Sequence, residues 1–274
     1  MRASVAFALT LLSCGGSTSA NSTNDGGGMA ACSGTGICIL ASGQTGASSI
    51  VVDQSNVYWT IAGPASTGGG VMKTPISGGV VTTLASNQSW PHGLAVDSDS
   101  VYWANAGVAA TDGAVMKVAL TGGTPVSLAS GQGGSVGIAI DSTNVYWSNA
   151  GGSTGEDRAV RKVALSGGPI TTIATDLYGP FPIAVDATNV YWADNFTVDH
   201  ATSVVKAPIN GGPSTLLMPG GGGHFALTID ATNVYWTDYE NGTVMKVPIN
   251  GGSASTIASS QNGPVGIAVD GASI

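Results

Sequence analysis

The chain has 274 residues, a formal net charge of −8 and a pI near 4.5. Phosphate binding needs a basic patch, and 8 Lys and Arg spread evenly against 16 Asp and Glu do not make one, so nucleic acid is disfavoured as a partner. Charged residues are only 9% of the chain and glycine numbers 42, which weighs against long helices and fits short strands joined by tight turns.

The first residues read as an export signal. Arg2 supplies a minimal positive region, and residues 5–12 form an apolar run too short to span a bilayer. Leu11-Leu12-Ser13-Cys14 resembles a bacterial lipobox, in which the cysteine is lipidated and becomes the new N-terminus. Residues 1–13 are then a signal peptide; a plain secretory signal with an incidental cysteine is the other reading. Residues 14–37 hold the lipidated cysteine and a Gly/Ser/Asn-rich linker that buries too little to offset its ordering entropy. Export permits a disulfide, and Cys32 and Cys38 are spaced for a small bridged loop, with two free thiols as the alternative. This places the protein at a bacterial cell envelope through its lipid anchor, or outside the cell.

From residue 38 to 274 the chain repeats. Val-Tyr-Trp occurs around Tyr58, Tyr102, Tyr146, Tyr191 and Tyr235, in steps of 44, 44, 45 and 44 residues. Period-two apolar alternation in the fifth unit predicts strands at 225–230, 234–237, 242–249 and 255–258. Paired glycines such as Gly251-Gly252 predict the hairpin between the last two, because glycine accepts positive φ. Four antiparallel strands per ~44 residues make one blade of a β-propeller, so the fold is all-β. Residues 39–42 read as a lone fourth strand before the first full unit, and 265–270 as a sixth first strand.

The remaining repeated residues have structural readings. Asp53, Asp97, Asp141, Asp186, Asp230 and Asp270 each open a tight turn, where the carboxylate bonds its own backbone two residues on. Lys73, Lys117, Lys162, Lys206 and Lys246 share one place in the third strand; their stems can lie on the neighbouring blade and reach a carboxylate or carbonyl. The repeated Tyr and Trp fill the junctions between blades, with backbone of the next blade as the expected partner of each OH and NH.

Gly266-Ile267-Ala268-Val269-Asp270, Tyr235-Trp236-Thr237-Asp238, Lys246 and Asn250-Gly251 resemble the YWTD repeat of the low-density lipoprotein receptor class B type. The chain is most similar to bacterial lipoproteins built of such repeats. The resemblance implies six blades. This chain then holds five complete blades and an incomplete sixth, with Ile274 where a sixth Val-Tyr-Trp begins, and is C-terminally truncated. The last YWTD position drifts through Ile61, Asn105, Asn149, Asp194 and Asp238, so receptor-type ligand binding does not carry over.

Function is expected in the loops that break the repeat. Those leading into first strands, and those between second and third strands, share the face at the mouth of the central channel. They bring Trp90, His92, Tyr178, Phe181, Asp194, His224, Phe225, Asp238 and Tyr239 to it. The aromatics Trp90, Phe181, Phe225 and Tyr239 suit anchors for a bound protein, glycan or small molecule. The alternative is a metal-dependent hydrolase or lyase using His92 and His224. No catalytic residue, metal ligand set or cofactor is assigned, since two histidines in different register and no paired carboxylates do not converge on one point.

Overall fold

Alternation along a strand puts Tyr of each Val-Tyr-Trp on one face of its sheet and Val and Trp on the other. A sheet apolar on both faces must be covered on both, and stacking identical sheets around an axis does this. The computed structural model, which describes residues 31–32, 38–63, 68–107, 112–151, 157–194, 203–220, 223–270 and 273–274, has this architecture.

A two-residue pair, β1 (Ala31–Cys32) and β2 (Cys38–Ile39), precedes five four-stranded antiparallel sheets. The first blade is β3 (Ala47–Val52), β4 (Asn56–Ile61), β5 (Gly69–Pro75) and β6 (Thr82–Gln88). The second is β7 (Pro91–Val96), β8 (Ser100–Asn105), β9 (Ala114–Ala119) and β10 (Val126–Ser130). The third is β11 (Ser135–Ile140), β12 (Asn144–Asn149), β13 (Ala159–Ala164) and β14 (Thr171–Ala174). The fourth is β15 (Pro180–Val185), β16 (Asn189–Asp194), β17 (Ser203–Pro208) and β18 (Thr215–Met218). The fifth is β19 (His224–Ile229), β20 (Asn233–Asp238), β21 (Thr243–Pro248) and β22 (Ser255–Ala258). First strands of consecutive blades pack on one another, which puts β3, β7, β11, β15 and β19 innermost.

The core lies between blades. Tyr58, Val71 and Leu84 of the first blade pack with Leu94, Val101, Trp103 and Val118 of the second. Tyr102, Tyr146 and Tyr191 repeat this against Trp147, Trp192 and Trp236. Tyrosine thus faces the following blade and tryptophan the preceding one. The five repeat tyrosines are all buried.

The polar tips find partners inside the repeat rather than on the next blade's backbone. Tyr58 Oη donates to Asp53 Oδ2 at 2.7 Å, and Asp53 Oδ1 accepts the Ser55 and Asn56 N–H groups. Tyr102, Tyr146, Tyr191 and Tyr235 do the same with Asp97, Asp141, Asp186 and Asp230. The aspartates are therefore turn residues, as read. The lysines reach carbonyls across the junction: Lys73 Nζ donates to Leu120 O at 2.5 Å, Lys117 Nζ to Leu165 O at 2.6 Å and Lys206 Nζ to Ile249 O at 2.8 Å.

A third link crosses only some junctions. Each first strand is irregular near its start, as between Ala47 and Ile50. Thr60 Oγ1 accepts the Ser49 N–H there and donates to His92 O of the second blade. Ser148 likewise accepts from Gly137 N and donates to Phe181 O of the fourth blade. Ala104 and Ala193 hold the equivalent places in the second and fourth blades and have no hydroxyl.

Two expected strands differ. Residues 39–42 join no blade; Ile39 ends β2 and pairs with Ala31, inside the stretch read as linker. Residues 265–270 form no strand, although their turn is built, with the Ser273 N–H on Asp270 Oδ1 at 2.6 Å. A strand needs a partner's backbone groups, and no strand pairs with 265–270 among the described residues. The exposed flank of the fifth blade agrees. Ile257 is 40% exposed, whereas Leu84, Leu128, Ile173 and Leu217 at the same place are 8% or less.

Candidate functional site

The channel-mouth face is built where second strands end and first strands begin. Residues five before the turn aspartates stand at one register of the inner strands: Ser48, His92, Val136, Phe181 and Phe225. Ser48 Oγ lies 3.4 Å from His92 Nδ1, so this register meets its neighbour across a junction. Burial pushes the His92 imidazolium down, which keeps the ring neutral at pH 7.

The predicted residues group by blade. Tyr178 and Asp194 come together: Asp194 Oδ1 accepts the N–H groups of Tyr178 at 2.9 Å and Gly179 at 2.7 Å. This fixes the loop into β15 and presents the Tyr178 ring, which is 47% exposed. Burial raises the Asp194 carboxyl above its ordinary range, against those N–H groups and the positive charge of Arg158.

His224 stands opposite Asp238 in the β19–β20 register, and the Tyr239 N–H donates to Gly223 O at 2.9 Å. Asp238 accepts from Asn241 N and Nδ2 at 3.0 and 2.8 Å. Tyr239 is 46% exposed and lies against Gly263, where a Cβ would stand 2.7 Å from the ring. Trp90 enters β7 with φ of 55°, unusual for a bulky residue, and its buried Nε1 finds no partner among the described residues.

His92 and His224 are not brought together. The inner strand β7 packs against β3 and β11, and β19 against β15, so two blades stand between them. Among the described residues no group of three or more His, Cys, Asp or Glu could hold a metal ion. Cys14 lies outside the described residues. Cys38 is disulfide-bonded, and the register sets Cys32 directly opposite it.

No protein-family model matches the chain, and no curated protein matches it either. Solved structures do. A chain of the nidogen/laminin complex matches at 17% identity with a TM-score of 0.50, over 71% of this chain and 90% of its own. A putative TolB from Agrobacterium tumefaciens matches at 16% identity with a TM-score of 0.47, over 61% of this chain and 63% of its own. The first likeness is one of fold, and the fold is a β-propeller.

Sequence reasoning missed a set of glutamines. Trp59, Trp103 and Trp147 each donate Nε1–H to the residue fifteen places upstream: Gln44 at 3.0 Å, Gln88 at 3.0 Å and Gln132 at 3.2 Å. Gln88 and Gln132 Oε1 also accept Nδ2–H of Asn105 and Asn149 at 3.0 and 3.3 Å. Their 44-residue spacing was the available signal. The fourth blade breaks the rule. Leu177 holds the glutamine's place, Asp194 replaces the asparagine, and the buried Trp192 Nε1 has no partner among the described residues.

Proposed function

We propose that the protein is a non-enzymatic binding propeller displayed at the cell envelope, with the channel-mouth face as its contact surface. One observation carries this. The five tyrosines of the repeat are buried, four of them between blades, whereas the two outside it, Tyr178 and Tyr239, are half exposed and tied down by backbone. Rigid, amphipathic rings of that kind make contact area at low entropic cost. Trp90 and Phe181 extend the surface, and the partner is a protein, glycan or small molecule.

The address belongs to the same proposal. Residues 1–13 act as the signal peptide, Cys14 carries the lipid, and 14–37 tether the YWTD-type propeller of 38–274. Cys32 and Cys38 pair as the disulfide, a pairing that their opposed register supports.

The test places a photo-reactive phenylalanine at Tyr178, at Tyr239 and, as a control, at the exposed Val126 of β10. Irradiation of cells displaying the protein should give adducts from positions 178 and 239 and none from 126. Equal labelling at all three would overturn the proposal. Mass spectrometry of the purified chain would show whether Cys14 carries a lipid and whether Cys32 and Cys38 are joined.

A further inference from the structure

One place at the channel mouth is filled by glycine in every unit but the second. Seven residues before the turn aspartates stand Gly46, Trp90, Gly134, Gly179, Gly223 and Gly263. The carbonyl at this place closes the mouth loop of its blade. Gly46 O accepts the Ala62 N–H at 2.9 Å, Trp90 O the Ala106 N–H at 3.0 Å, and Gly134 O the Ala150 N–H at 2.9 Å. The backbone is left-handed there, with φ of 83° at Gly46, 72° at Gly134 and 61° at Gly263. Glycine takes these angles freely. Trp90 is held at 55°, where its Cβ crowds the following carbonyl oxygen.

Neither end of this residue suits its place. The backbone is strained, and the buried indole nitrogen meets no acceptor among the described residues. Trp59, Trp103 and Trp147, by contrast, each donate to a glutamine. Glycine would serve the loop better on both counts. A strained residue with an unmatched polar tip, on the face where loops converge, points to a role outside the fold.

The surroundings of Trp90 define what would meet it. His92 stands two residues on, with Ser48 Oγ 3.4 Å from its Nδ1, and all three residues are partly open to solvent. On the other side, the Gly107 N–H donates to Ser89 O at 3.1 Å, and Gly107 lies against the Asp112 carboxylate, since a Cβ on it would strike Oδ1. The one Lys or Arg between residues 42 and 113 is Lys73, which donates to Leu120 O. An anion therefore finds no cation here. A flat ring, a carboxylate, an imidazole and a hydroxyl match a ligand with an apolar face and hydroxyl groups around its edge.

We propose that the mouth of the second blade binds a neutral pyranose sugar, whose apolar face stacks on Trp90 while its hydroxyls bond the Asp112 carboxylate and the Ser48–His92 pair. Trp90 stands in a glycine's place because its ring makes this contact. The inference narrows the reading of this face as a binding face to one ligand class, and rests on it.

The full chain carrying 15N-labelled tryptophan gives an indole N–H signal for Trp90, assigned through Trp90→Phe. Maltotetraose, cellotetraose and chitotetraose serve as neutral probes, with tetragalacturonate and choline chloride as charged ones. At least one neutral probe should move the Trp90 signal saturably, and neither charged probe should. Trp90→Gly should abolish sugar binding in titration calorimetry and raise the denaturant midpoint, because the backbone strain leaves with the side chain. Asp112→Asn should weaken binding about tenfold. No saturable shift with any neutral probe, an equal shift with a charged one, or undiminished binding by either variant would overturn the proposal. So would a lower midpoint for Trp90→Gly, which would show the ring to be held there by packing. Photo-adducts at positions 178 and 239 without a sugar response would sink this inference and leave the binding face standing; a sugar response without those adducts would sink the tyrosine anchors alone.

Discussion

The Tyr146 hydroxyl donates to Asp141 Oδ2 at 2.6 Å, five residues back, while Asp141 Oδ1 accepts the Thr143 and Asn144 N–H groups. One carboxylate thus closes the hairpin turn and anchors a ring packed on the next blade. Local turn and blade junction depend on the same side chain.

Tyr146→Phe should cost about 1 kcal/mol, since it removes one hydrogen bond and leaves Asp141 its two backbone donors. Asp141→Ala should cost about 2–4 kcal/mol, because it strands a buried hydroxyl and uncaps the turn. Denaturant unfolding of the two variants beside the parent measures the difference.

Gln132→Leu copies into the third blade the leucine that stands at this place before the fourth. It leaves the Trp147 indole N–H and the Asn149 amide N–H buried without their shared acceptor. A loss of about 2–5 kcal/mol is expected, with a changed environment in the Trp147 fluorescence.

The turn aspartates tie stability to pH. Burial pushes Asp53, Asp141 and Asp186 up, but hydrogen bonds from the tyrosine and the turn outweigh it and hold all three below the ordinary 3.8. Asp230 is held low chiefly by Tyr235. Folded values below the unfolded one give stability that is complete above 3.8 and is lost as pH falls through the folded values. The melting temperature should therefore drop steeply below about pH 4, and Asp141→Asn should flatten the slope. At the alkaline end, burial and the Asp97 bond push Tyr102 up to about 12 from 10.0, so its contribution is present below pH 10 and lost as pH rises through the folded value.

Gly137→Ala should destabilise by about 2 kcal/mol or more for lack of space, since the new methyl would collide with Phe181 O of the next blade. Hydrogen exchange should show the loss concentrated where the third blade meets the fourth.

Much of this fold is legible in the residues. Alternation, Val-Tyr-Trp and the paired glycines locate four strands per blade, and the predicted 255–258 coincides with β22. Strands at the ends of the array are harder to read, because propensity says what a segment can do and pairing decides what it does. Residues 265–270 have the pattern without the partner, while 38–39 find a nearer partner in 31–32 across a short loop, at a lower closure cost. The candidate face is less legible. Exposure of Tyr178 and Tyr239 follows from their standing outside the repeat, but Trp90 acquires meaning only beside Gly46, Gly134 and Gly263. A single glutamine in a turn looks like any solvated side chain until its distance to a tryptophan is known.

The hydroxyls of Thr60 and Ser148 cross from the first blade to the second and from the third to the fourth; Ala104 and Ala193 make no such crossing from the second and fourth. Neighbouring blades are thereby coupled in twos. Lys117 and Lys206 still tie the second blade to the third and the fourth to the fifth through a backbone carbonyl, so what those two junctions lack is the hydroxyl link alone. A row of near-identical units thus has a grain, set by which of the two links each junction carries.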